Sequence, residues 1–205
     1  MNLKQLFEVR STSNLSDSQI DLSAFGERQL LVQDNGHSVY KRISKSEDHV
    51  WLLDIDEHAF VLGVVTSFPG QVKNNVFVTH RGWTDPDYRG KGLITNIMFC
   101  LYNKLNYALM CDSVVSPTGR TVWVKLCQQL SITHCYKYNS KARSAEPIDQ
   151  KQMISDFTNN EDDFQYIIEC QLGDISNLSE QYHQMDKVVS QGISWLEKYD
   201  FSGLA

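Results

Sequence analysis

Between residues 37 and 84 the chain runs in short apolar bursts, HSVYKRIS, HVWLLDID, AFVLGVVTSF and NVFVTHRGW, broken by SKSED, DIDEH and FPGQ. Bursts of this length with such tight breaks predict three or four strands in an antiparallel meander. AFVLGVV is apolar on both faces and reads as a central strand. NVFVTH alternates, so one of its faces turns toward a cleft or solvent. At Leu93 the period changes. Leu93, Ile94, Ile97, Met98, Leu101 and Leu105 recur at three- and four-residue steps, predicting a helix that ends near Asn106. A short apolar segment, YALMCDSVVS, follows. In SPTGRTVWVKLCQQL, Ser116, Pro117 and Thr118 form a helix start, and Val122, Leu126 and Leu130 line one face. Residues 139–163 are polar and read as a connection with a short helix. FQYIIECQL reads as a strand and ISNLSEQYHQMDKVVSQGISWLEKY as a terminal amphipathic helix.

Two strand-then-helix steps thus follow a meander, which predicts an α/β (α+β) chain with a mixed, mostly antiparallel sheet. Residues 1–36 read as a helical or irregular opening, 37–138 as the core, and 139–205 as an extension that completes the sheet or makes a dimer contact. The apolar stripe around Trp195 favours the dimer contact.

The first strand-to-helix junction carries the chemistry. In DPDYRGKGLIT, Gly90 and Gly92 stand between cations, immediately before the helix. Glycines there let an anion approach the unpaired N–H groups and the positive end of the helix dipole. Neither GxxxxGK[ST] nor GxGxxG is present, so the loop is not of the mononucleotide or dinucleotide type. With two glycines alone, a tight turn that merely introduces the helix is an equal reading.

Composition narrows the rest. A 205-residue chain with 41% hydrophobic residues buries a full core, and its formal net charge of −6 disfavours nucleic acid as the main partner. The N-terminal stretch has no long apolar core and no run elsewhere has the length of a membrane span, so the expectation is a cytoplasmic protein that does not enter the membrane. Five cysteines without CxxC spacing predict neither a disulfide framework nor a zinc site, and no metal is expected.

D-P-D-Y-R-G-K-G-L, after an antiparallel strand and before an amphipathic helix, resembles motif A of the GNAT family of acyltransferases, [QR]-x-x-G-x-[GA]. Arg89 matches its first position and Gly92 its fourth. The order of meander, helix, strand, helix and strand over residues 37–138 is similar too. The W-x-K-L run further resembles bacteriophage-type members. The resemblance implies the GNAT fold, with its sheet splayed at the cofactor cleft and helices on both faces. It implies acetyl-CoA, or another acyl-CoA, as co-substrate, with its pyrophosphate on the amides of Gly90, Lys91, Gly92, Leu93, Ile94 and Thr95. Arg89 and Lys91 would add charge around the phosphates. The backbone of Trp83 and Thr84 would hold the pantetheine and thioester, and Ser116 would stand where the family often has an Asn.

Three positions depart from the pattern. Ile94 replaces the small last residue of the motif, Trp123 stands where a general-acid Tyr is usual, and the Gly-Phe that ends the second helix is missing. Ser116, Tyr136, Tyr138 or solvent would then supply the proton. Acyl transfer needs the attacking amine deprotonated, and His80 and Asp112 are equal candidates for that base or for acceptor binding. His80 shares parity with Thr84 if no bulge intervenes. Asp54, Asp56 and Glu57 read as a solvated turn, or else as an acceptor-attracting cluster. The acceptor class stays open between an amine-bearing small molecule and a protein. The alternative function is a GNAT-fold binding protein without catalysis.

Overall fold

A computed structural model describes residues 22–34, 36–67, 75–111, 115–130, 134–139, 144–159, 165–169 and 178–198. After a short 3-10 turn at Leu22–Ala24, the strands are β1 Gln29–Asp34, β2 His37–Ile43, β3 Val50–Ile55, β4 Ala59–Ser67 and β5 Asn75–Thr84. A 3-10 turn, Pro86–Tyr88, leads to α1 Leu93–Asn103, β6 Tyr107–Met110 and α2 Pro117–Gln129. Then come β7 His134–Asn139, β8 Ser144–Ile148, α3 Gln150–Thr158, β9 Gln165–Glu169 and α4 Leu178–Lys198.

The strands form one sheet in the order β1-β2-β3-β4-β5-β6-β9-β7-β8. β5 and β6 pair in parallel; the other named pairs are antiparallel. Among the described residues this is a mixed sheet with four α-helices in an α+β arrangement. The residues expected to form a core, 37–138, share their sheet with a later strand, since β9 lies between β6 and β7.

Helices cover both faces. On one, Leu53, Ile55, Val61, Phe77 and Leu109 meet α1 through Ile97, Met98 and Leu101, α2 through Trp123 and Leu126, and α3 through Met153 and Phe157. On the other, Val50, Leu52, Leu62, Val64, Val76 and Val78 meet α4 through Val189, Trp195 and Leu196. Alternation along each central strand divides its side chains between these two cores, which is why AFVLGVV is apolar throughout.

Two glycines set close approaches. A Cβ on Gly63 would lie 2.4 Å from the Val78 carbonyl oxygen and 2.5 Å from Phe77 Cζ, so only glycine lets β5 pass there. A Cβ on Gly192 would lie 2.5 Å from Val64 Cγ2, and this contact lets α4 settle onto β4. Trp195 Nε1 donates to Ser46 Oγ at 2.8 Å, and the indole meets Phe25 edge-on at 5.9 Å. The apolar stripe assigned to a dimer contact is therefore used, at Trp195, inside the chain. The opening segment, read as helical or irregular, is corrected, since part of it is strand β1. So is the connection over 139–163, which holds strand β8 besides the expected short helix. No helix among the described residues is long and apolar enough to cross a membrane.

Candidate functional site

The parallel pair β5 and β6 stays in register from Asn75↔Tyr107 to Val78↔Met110 and no further. β6 ends there, while β5 continues to Thr84. Thr79 Oγ1 donates to the Met110 carbonyl at 3.3 Å, a tie across the mouth of the split. Past it, β5 has no strand partner on that side among the described residues. Both strands run toward this open end and each is followed by a helix, so the N-termini of α1 and α2 sit there together.

His80 stands at the split. Thr79 pairs with Gly63 and Arg81 with Leu62, so His80 is the extra residue of a β-bulge. From Arg81 to Thr84 the register with β4 is regular, running from Leu62 to Ala59. The bulge precludes carrying the alternation of NVFVTH through to Thr84. His80 is half-buried. Asp112 lies outside the described residues.

The glycine loop is built from Asp85 onward. Asp85 Oδ1 accepts from the Asp87 amide at 3.0 Å, and Pro86 sets the first residue of the 3-10 turn. Tyr88 is held between two partners: His58 stacks on its ring at 3.6 Å and Lys91 Nζ lies 4.0 Å from its centroid. His58 also accepts the Asp85 amide at its carbonyl, 2.9 Å away, and its Nδ1 stands 3.7 Å from Asp85 Oδ2. The loop is thus fastened to the β3–β4 turn. Arg89 turns back toward β5, its Nε donating to the Thr84 carbonyl at 3.5 Å.

Gly90 and Gly92 have φ of +80° and +74°, the left-handed region that other residues enter only at a cost. A Cβ on either would meet nothing within 4 Å, so the space in front of them is open. Gly92 is the N-cap of α1 and has no side chain to offer the first amides. The N–H groups of Leu93, Ile94 and Thr95 belong to the first turn, where no intrahelical acceptor exists. The bulk of Ile94 is turned inward: its Cδ1 would lie 3.0 Å from a Cβ on Gly82, so a glycine on β5 receives the side chain that the motif lacks room for elsewhere.

At the second helix, Ser116 Oγ accepts from the Gly119 amide at 3.1 Å as the N-cap of α2, and Arg120 Nε donates to the Val115 carbonyl at 3.0 Å. Trp123 is buried against Phe157, with centroids 6.0 Å apart, and takes part in the core instead of lining the split. Tyr136 and Tyr138, considered as proton donors, are fully buried in the core beneath α4.

Two buried carboxylates depart from the sequence reading. Asp54 is no turn residue: it lies on β3, fully buried, and Arg28 grips it with Nη2 at 2.5 Å and Nε at 3.2 Å. Arg28 also stacks over Tyr40 at 3.5 Å and reaches Glu57 at 3.3 Å. The sequence near Arg28 reads as irregular, and no short-range spacing links it to Asp54. The second carboxylate, Asp156 on α3, is held by Lys137 at 3.0 Å, Tyr166 Oη at 2.9 Å and Gln152 at 2.6 Å. This network pins α3 to β7 and β9.

Among the described residues no group of three or more His, Cys, Asp or Glu side chains is placed to hold a metal. A hollow of about 450 Å³ lies at the far ends of α1 and α2, beside Phe99, Tyr102 and Leu130. Its charged groups, Lys104 and Asp34, pair with each other at 3.5 Å. No family model, curated protein or solved structure matches the chain.

Proposed function

We propose that the protein is an acyl-CoA-dependent N-acyltransferase of GNAT type, transferring an acetyl group from acetyl-CoA to an amine. The observation that carries this reading is the parting of the parallel pair β5–β6 after Val78 and Met110, beside a helix entered through two left-handed glycines. The pyrophosphate would lie on the amides of residues 90–95, with Arg89 and Lys91 supplying positive charge. The pantetheine would follow the edge of β5 that β6 has left, past Thr84 and Trp83 into the split. His80, at the base of that split, would accept the proton of the incoming amine, with Asp112 as the other candidate. The amine nitrogen then bonds to the thioester carbon, the C–S bond breaks, and the sulfur leaves as thiolate. Trp123 and the buried Tyr136 and Tyr138 do not face that sulfur as acids, which leaves Ser116 or solvent to protonate it.

The test is calorimetry with acetyl-CoA, comparing the native protein with Gly92→Asp, followed by thiol release in the presence of amines. Binding that the variant loses, together with amine-dependent thiol release, supports the reading. Failure of the native protein to bind at millimolar cofactor overturns it. The burial of Trp123 and the capping role of Ser116 favour one second reading, a binding protein of the same fold, which predicts cofactor binding without thiol release for any amine.

A further inference from the structure

The acyltransfer reading leaves open what carries the amine, and the sheet face opposite α1 and α2 bears on that choice. Direct register puts Tyr40 beside Asp54, Asp54 beside Phe60, and Phe60 beside Trp83, so these four residues form one row across β2, β3, β4 and β5 on the α4 side of the sheet. The row ends on the segment of β5 that β6 has left. Phe60 and Trp83 meet at 5.6 Å, and Tyr40, Phe60 and Trp83 are each half-buried. Asp54 at the centre of the row is buried beneath Arg28.

The charges here cancel. Asp54, Asp56 and Glu57 are matched by Arg28, which touches Asp54 and Glu57, and by Arg42 and Arg81, whose registers with Leu52 and Leu62 put them on the same face. A balanced set of charges exerts little net pull on a polycation, and the buried carboxylate is already satisfied. What the row offers a ligand is aromatic surface, which binds flat apolar groups by burial and by ring contact.

We infer that the acceptor is an amine carried on an aromatic body, lying across Trp83 and Phe60 with its nitrogen at the split near His80. The inference rests on the acyltransfer reading, because that reading supplies the reactive carbonyl on the other side of β5. Polyamines and lysine side chains, whose recognition relies on excess carboxylate, fit this face poorly.

Tryptamine, phenethylamine, spermidine and a lysine-containing peptide would be compared as acceptors with acetyl-CoA, in native protein and in Phe60→Leu and Trp83→Leu, which keep apolar bulk while removing a ring. The expected result is a kcat/KM at least tenfold higher for the two aromatic amines than for spermidine or the peptide. Each variant should raise KM for tryptamine about five- to tenfold, and Phe60→Leu, which is clear of the cofactor, should have a much smaller effect on spermidine. Preference for spermidine or peptide, or equal loss for all acceptors, overturns the inference and leaves acyltransfer intact. Saturable binding of tryptamine to the protein alone, followed by protein NMR, separates the two readings: if acetyl-CoA does not bind, tryptamine binding weakened by Trp83→Leu still supports the aromatic row. Absence of tryptamine binding overturns it.

Discussion

Replacing the imidazole of His80 by an amide of similar reach, as His80→Gln does, should lower kcat/KM by about 10²–10⁴-fold. Cofactor affinity, read by calorimetry, should barely change, because the residue lies in the bulge and not in the glycine loop. If Asp112→Asn gives this pattern and His80→Gln does not, the base is Asp112. A second single-residue outcome concerns stability. Removing Arg28 strands the fully buried Asp54 carboxylate without its partner, and such a loss costs about 3–5 kcal/mol. Arg28→Met should therefore lower the urea midpoint sharply, and Arg28→Met with Asp54→Leu should recover most of it, since an apolar pair of similar volume removes the stranded charge. An equal loss in single and double variants would mean that stacking on Tyr40, and not charge pairing, is what Arg28 contributes to stability.

Whole elements respond to Gly192. Alanine is ordinarily the better helix former by about 1 kcal/mol, yet here its Cβ would drive into Val64 Cγ2 at 2.5 Å. Gly192→Ala should lower the thermal midpoint, while Gly192→Ala with Val64→Ala should restore part of it by reopening the space. This contact was invisible in the sequence because it depends on how closely one element approaches another. Patterns internal to an element were far more legible. The meander, the helix from Leu93, the helix after Ser116 and the strand around Ile167 all follow from periodicity and turn chemistry, which act over a few residues. β1 escaped because QLLVQD lacks regular alternation, and its burial pattern is that of a largely exposed edge strand. β8 escaped because Pro147 and the polar surroundings of SAEPI suppress the strand signal, a trait that edge strands tolerate. At the site, the glycine loop and its helix could be read directly from Gly90 and Gly92. The bulge at His80, the Arg28–Asp54 pair and the aromatic row arise from pairing between strands, which a linear pattern does not encode.

For the molecule as a whole, burial of its thiols sets a limit at high pH. Burial, reinforced by nearby Asp149, pushes the Cys135 thiol up to about 12, and burial also raises Cys127. In the unfolded chain these groups ionise near the ordinary value of about 8.5, so above it the unfolded state holds fewer protons than the native state. Their contribution is complete below that value and declines as pH rises toward 12, by about 1.4 kcal/mol per pH unit for each thiol. Urea midpoints measured from pH 8 to 10.5 should fall, and Cys135→Ala should flatten the slope; an unchanged slope would mean that this thiol ionises equally in both states. The sheet also has a history in time. Strand β9, interior to the sheet, is synthesised after both of its neighbours, β6 and β7. Until then the growing chain carries two open edges, those of β6 and β7, against which β9 later pairs antiparallel. The interval between synthesis of Asn139 and of Glu169 is therefore when this protein is most exposed to pairing with the wrong strand, including the same strand of a neighbouring nascent chain.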